Sequence, residues 1–105
     1  MDANNPEIRL EVNPAEQQGS WGLVGELDAH SAGLLEETVA NAAMAEAVIL
    51  DMSGVSFIDS SGLRALVGLK SSLEGSGSSM RIADPSDAVR RIIEMTGLAD
   101  HLDVA

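Results

Sequence analysis

The densest run of chemically capable side chains is Asp59-Ser60-Ser61-Gly62: a carboxylate, two hydroxyls and a glycine in succession. One use for it is structural. Asp and Ser are preferred helix N-caps, whose side-chain oxygen accepts an otherwise free backbone N–H, and a lost cap costs roughly 1 kcal/mol. One cap needs only one such residue, which leaves the rest of the run unexplained. A second use is nucleophilic catalysis, with Ser60 or Ser61 activated by His30 or His101 as base. Neither serine has a glycine two positions before it, so the G-x-S-x-G elbow is missing, and His30 falls in a loop where an exposed histidine is the simpler account. A third use is as a phosphoryl acceptor. A modified hydroxyl here gains a charge of roughly −1.5 to −2, favoured by the positive end of a helix and opposed by Asp59 and an acidic surface. Such a change alters the surface far more than the fold. No phosphate loop of the G-x-x-x-x-G-K-[ST] type is present, and two histidines with scattered carboxylates give no metal-ligand spacing. The residues therefore read as a binding module rather than an enzyme, with no metal and no cofactor.

The elements that must position this turn follow from periodicity. Glu7 to Val12 alternates polar and apolar residues, the pattern of a strand with one buried face, and ends at Asn13-Pro14. Ala15 to Ser20 reads as a hairpin loop leading to a second strand, Trp21 to Leu27. Leu35, Val39, Ala42 and Ala43 fall at helical spacing within a helix over 31–44. Ala47 to Met52 is a continuous apolar run, expected as a central strand buried on both faces and broken by Ser53-Gly54. Val55 to Ile58 then leads to the serine turn, and a helix starts at or just after the serines with Leu63, Leu66, Val67, Lys70 and Leu73 at spacings of three and four. Gly75 to Ser79 is a flexible surface turn, and Met80 to Ala83 a strand. Asp84 is expected to cap a third helix, with Pro85 in its first turn, Asp87 near its positive end and Val89, Ile92, Ile93 and Thr96 as its buried stripe. Gly97 suits a left-handed helix end with Leu98 making the accompanying apolar contact. The tail 99–105 fits a helical turn or an edge strand equally. Met44, Met52 and Met95 are expected in the core.

The order β-β-α-β-α-β-α implies an α/β fold. Its central sheet should be mostly parallel, of about four to five strands, with an N-terminal antiparallel hairpin and three to four helices packed on it. At 105 residues and 45% hydrophobic content the chain makes one domain, 1–105, with residues 1–6 a flexible N-terminus. A net charge of −11 with six Lys and Arg argues against nucleic acid and anionic membranes, whose recognition rests on basic side chains. No apolar run approaches the about 18 residues of a spanning helix. Zero Cys and an N-terminus without a secretion pattern fit a cytoplasmic protein.

The segment Val48-Ile49-Leu50-Asp51-Met52-Ser53-Gly54-Val55-Ser56-Phe57-Ile58-Asp59-Ser60-Ser61-Gly62-Leu63 resembles the signature of anti-sigma factor antagonists of the STAS family. Gly25-Glu26-Leu27-Asp28 resembles that family's second strand and turn. Ala83-Asp84-Pro85-Ser86, Val89-Arg90-Arg91 and Thr96-Gly97-Leu98 resemble its last strand and helix, so the likeness runs from Glu7 to about Leu102. The resemblance implies a protein that binds an anti-sigma factor which is also a serine kinase, is inactivated by phosphorylation in the serine turn, and is restored by a PP2C-type phosphatase. By matched position the phosphoacceptor is Ser61, with Ser60 the second choice. Asp28 and Asp59 match acidic positions near the partner surface, while turn and cap roles stay open for both. Gly62, Leu63 and Arg64 flank that contact, although Arg64 also suits a solvated helix face. The family includes transporter-associated members too, so a constitutive interaction subunit that is never phosphorylated is the alternative.

Overall fold

The computed structural model of the chain describes residues 9–42 and 46–104. In chain order the elements are β1 (Leu10–Pro14), β2 (Ser20–Leu27), α1 (Ala32–Ala42), β3 (Ala47–Ile58), α2 (Ser60–Gly75), β4 (Ser79–Ala83), α3 (Asp87–Thr96) and α4 (Ala99–Leu102). One four-stranded sheet runs in the order β1-β2-β3-β4, with β1 antiparallel to β2 and the pairs β2/β3 and β3/β4 parallel. The expected strand start at Glu7 and Ile8, the N-terminal segment 1–6, and Ala43 and Met44 lie outside the described residues, as does the side chain of Ala42.

Strand order equals chain order across β2, β3 and β4, so two right-handed crossovers advancing in one direction bring α1 and α2 to the same face of the sheet. That face carries Leu10, Leu23, Leu27, Val48, Leu50, Met52, Met80 and Ile82, all buried in one cluster with Leu35 and Val39 of α1, Leu66, Leu69 and Leu73 of α2, and Val89 and Ile93 of α3. The opposite face is not covered in the same way: Val24 is 49% exposed, and Ile49 and Asp51 are half-buried. The expectation of a central strand buried on both faces is thus corrected. Continuous apolarity in Ala47 to Met52 reflects one buried row interleaved with half-buried residues, because both crossover helices share one side.

Ser53-Gly54 does not break the strand either. β3 continues for 12 residues, and the break expected there is a pair of bulges. Gly22 pairs with Asp51 and Val24 with Gly54, then Gly25 with Val55 and Glu26 with Phe57, so β3 twice spends one residue more than β2. Each extra residue changes the buried spacing from two to three, carrying Val55 and Ile58 to the same buried side as Met52. The bulges therefore aim the end of β3, and the turn that follows it, over the helical layer.

The start of α3 also departs from expectation. Asp84 is left-handed (φ 48°), and the N-cap is Ser86, whose hydroxyl accepts from Val89 N–H at 3.3 Å. The same hydroxyl donates to Val55 O at 2.6 Å, and Ser86 N–H donates to Met52 O at 3.2 Å. β4 pairs only with Ala47 to Asp51, so Ser86 satisfies backbone carbonyls on the part of β3 that β4 does not reach. Two expected core residues lie outside: Thr96 is exposed, with its hydroxyl donating to Ile92 O at 2.9 Å, and Met95 is 79% exposed. Both follow the last buried residue, Ile93, as α3 runs past the edge of the core. Gly97 ends the helix in the left-handed region (φ 73°), and Leu98 packs against the core, as its position suggested. The tail does both of the things open to it. It forms α4, which buries Leu102, and Val104 then makes a parallel bridge to Ile82.

Candidate functional site

Leu27 and Ile58 pair at the carboxyl ends of neighbouring parallel strands, so the loops that follow them emerge side by side. The two loops are built alike. After β3, Asp59 adopts an extended conformation and its Oδ1 accepts from Gly62 N–H at 2.9 Å, capping α2. After β2, Asp28 Oδ1 accepts from the N–H groups of His30 (3.0 Å) and Ser31 (3.1 Å), while Ser31 Oγ accepts from Asp28 N–H at 3.0 Å. That reciprocal pair has the logic of a capping box and sets the entry to α1. Ser31 Oγ also donates to Glu26 O at 2.7 Å, and Ser31 is the buried polar residue of the described chain. Sequence reading passed over Ser31; the Asp-x-x-Ser spacing before an apolar helix was the available signal.

Gly62 holds the loops together. A Cβ there would press on the Leu27 carbonyl oxygen and lie 3.0 Å from Ile58 Cγ1, so the first turn of α2 lies against the end of β2 only because this residue has no side chain. Asp59 N–H adds a 3.3 Å bond to Leu27 O. Leu63 points inward at 6% exposure, so its side chain supports the turn from the core.

With Asp59 as the cap, the two serines are left over. Ser60 is exposed and Ser61 half-buried, and among the described residues no hydrogen bond engages either hydroxyl. Ser61 opens into a cleft of about 380 Å³ between α1 and α2, together with Ala29, Ala32, Glu36, Arg64 and Gly68. The structure thus brings Asp28, Asp59, Ser60, Ser61, Gly62 and Arg64 to one end of the molecule. His30 is an exposed member of the Asp28 turn, and His101 is exposed on α4.

The electrostatics centre on Asp28. Its partial burial opposes ionisation, but hydrogen bonds from the Ser31 and His30 N–H groups and the Ser31 hydroxyl, with the charge of Arg9, outweigh this and hold its carboxyl below the usual value. Arg9 Nη1 lies 3.6 Å from Asp28 Oδ2 and 3.0 Å from Glu26 Oε1. Among the described residues no group of three or more His, Cys, Asp or Glu is placed to hold a metal ion, and no helix is long and apolar enough to cross a membrane.

The STAS domain family model matches residues 7–105. The chain is 29% identical over 99 residues to the anti-sigma-B factor antagonist of Bacillus subtilis strain 168, covering 93% of this chain and 91% of that protein. A crystal structure of an anti-sigma factor antagonist from Mycobacterium paratuberculosis superposes with a TM-score of 0.73 at 27% identity, covering 90% of this chain and 82% of that one. The anti-sigma factor antagonist SpoIIAA in its unphosphorylated form gives a TM-score of 0.71 at 23% identity over 91% and 87% of the two chains; SpoIIAA of Bacillus has also been solved in a phosphorylated form. The same fold matches part of the murine Slc26a9 anion transporter, at a TM-score of 0.66 and 25% identity, covering 86% of this chain and 16% of the transporter. With one family model spanning nearly every residue and antagonist relatives matched almost end to end, this chain belongs to the STAS-domain family of anti-sigma factor antagonists.

Proposed function

We propose that this protein is a cytoplasmic, non-enzymatic anti-sigma factor antagonist. It binds an anti-sigma factor that is also a serine kinase, frees the sigma factor, and is switched off when Ser61 is phosphorylated. In that step the γ-phosphoryl group of a nucleoside triphosphate passes to Ser61 Oγ, the hydroxyl proton is lost and the nucleoside diphosphate leaves. A PP2C-type phosphatase hydrolyses the ester and restores the antagonist. Neither nucleic acid nor membrane takes part directly.

The observation that carries this reading is the division of labour in the turn. Asp59 alone caps α2, so the Ser61 hydroxyl at the mouth of the cleft has no task in the fold. Added charge there is tolerated by the helix start, which favours an anion by about 0.3–1 kcal/mol. Across an interface the same charge has to be desolvated, a penalty of several kcal/mol where no cation of the partner meets it. The interface therefore loses more than the fold gains.

The test is incubation of the purified chain with the anti-sigma kinase, followed by mass spectrometry and binding measurements. One phosphate on Ser61 is expected, absent in Ser61→Ala and retained in Ser60→Ala. Ser61→Ala should still bind the anti-sigma factor, whereas the phosphorylated chain should not. A phosphate on another residue, or undiminished binding by the chain phosphorylated at Ser61, defeats the switch. Binding with no phosphorylation at all favours a constitutive interaction subunit.

A further inference from the structure

The cleft between α1 and α2 holds a cation that the fold does not use. Of the six Lys and Arg, Arg9 is paired with Glu26 at 3.0 Å and Lys70 with Glu74 at 2.9 Å. Arg64 is exposed and, among the described residues, has no carboxylate within ion-pair distance, in a chain that carries 17 Asp and Glu. It follows Ser61 by three positions on α2, so the two side chains share one helical stripe, and both line the same cleft. Ala29, Ala32 and Ala65 keep that space open, about 380 Å³. Glu36 enters from α1, its Oε2 ending 3.6 Å from where a Cβ on Gly68 would stand, one helical turn beyond Arg64. The cleft therefore has a serine at its mouth, a guanidinium beside it and a carboxylate farther along.

We propose that this cleft receives the phosphoryl group of modified Ser61, with Arg64 as its counter-ion and Glu36 as the opposing charge that keeps it at the Arg64 end. The inference rests on Ser61 being the modified residue. A guanidinium presents paired N–H donors that match phosphate oxygens, which a lysine ammonium does not reproduce. Ser60 does not line the cleft, so a phosphate there would lack the same seat. Arg64 thereby acts as a positioning residue for the off state: it holds the phosphate across the α1–α2 groove and masks the surface there.

The charges lining the cleft are Arg64 on α2 and Glu36 on α1; Asp59 precedes Ser61 by two positions, and Asp28 and His30 flank the cleft residue Ala29. A phosphoserine ester has its second ionisation near pH ~6. Arg64 favours the dianion and lowers that value, while the three carboxylates raise it. The test installs phosphoserine genetically at position 61 of the full chain and follows the second ionisation by phosphorus NMR. Arg64→Ala should raise the pKa by on the order of half a unit or more, Arg64→Lys should recover part of that shift, and Glu36→Gln should lower the value. Phosphoserine installed at position 60, four positions before Arg64 but outside the cleft, should shift by less on Arg64→Ala than phosphoserine at position 61. Equal pKa values at position 61 with and without Arg64 overturn the inference. Because the phosphate is installed without a kinase, this failure is distinct from kinase mapping to another residue, which overturns the reading on which the inference rests.

Discussion

Gly62 is held by contact rather than by backbone torsion. Any side chain at this position meets the Leu27 carbonyl, a backbone atom that cannot swing aside. Gly62→Ala should lower stability by about 1–3 kcal/mol, the usual range for overpacking, and displace Ser61 with the start of α2. An unchanged urea midpoint would mean that α2 can retreat from β2 freely. Asp28 makes a prediction in pH. Its folded pKa lies below the ordinary value of 3.8, so its ionised form binds more favourably in the folded chain than in the unfolded one. The resulting stabilisation is present above the unfolded pKa and disappears as pH falls through the lower folded value. The stability difference between the wild-type protein and Asp28→Asn should therefore be constant near neutrality and narrow below pH ~4. A gap that persists, undiminished, at pH ~2 would assign the role of Asp28 to something other than its charge.

At the scale of elements, α3 is fixed at both ends by different means. Its C-terminus depends on Gly97 in the left-handed region, where a Cβ would meet nothing within 4 Å, so substitution there is penalised by conformation and not by collision. Gly97→Val should cost about 1–3 kcal/mol, on the order of 10 °C in Tm for a domain of this size. An unaltered melting temperature would show that α3 can end another way. Its N-terminus depends on Ser86, which joins the helix to β3 through the bond to Val55 O as well as capping it. Ser86→Ala removes both and should cost about 1–2 kcal/mol, with amide exchange accelerating at Val89 first. Protection at Val89 equal to wild type would place the cap elsewhere.

For the whole molecule, buried residues from all four strands and all four helices join in one cluster. Domains of this size with one core unfold cooperatively. Trp21, the single tryptophan, packs against that core from β2, so its fluorescence reports from within the sheet. Fluorescence and far-UV circular dichroism should give coincident urea transitions, and separated midpoints would mean that the hairpin and the helical layer unfold independently. Sequential strand order has a functional side as well. The sheet has no reversal of strand order, hence no crevice between diverging loops of the kind that holds nucleotides in doubly wound sheets. What it presents at the carboxyl ends of β2 and β3 is a pair of short loops and a groove between two helices, a surface suited to a protein partner.

Much of this was legible in the sequence because it depends on neighbours along the chain. Helical spacing located Leu35 and Val39, a hairpin loop joined β1 to β2, Asp59 and the serines marked the start of α2, and Gly97 marked the end of α3. The remainder depends on neighbours in space. Ser53-Gly54 reads as a break because glycine weakens a strand, yet β2 alongside it lets β3 continue through two bulges. Asp84 is as good a cap as Ser86 by residue type, and only the unpaired carbonyl of Val55 gives Ser86 the role. One apolar run fits burial on one face or two, and the shared side of the crossover helices decides. Likewise the sequence placed Ser61 and Arg64 one turn apart, but Glu36 and the cleft join them only when α1 packs on α2. Local spacing fixes which side chains share a strand or helix face; which faces meet is decided by packing across the whole chain.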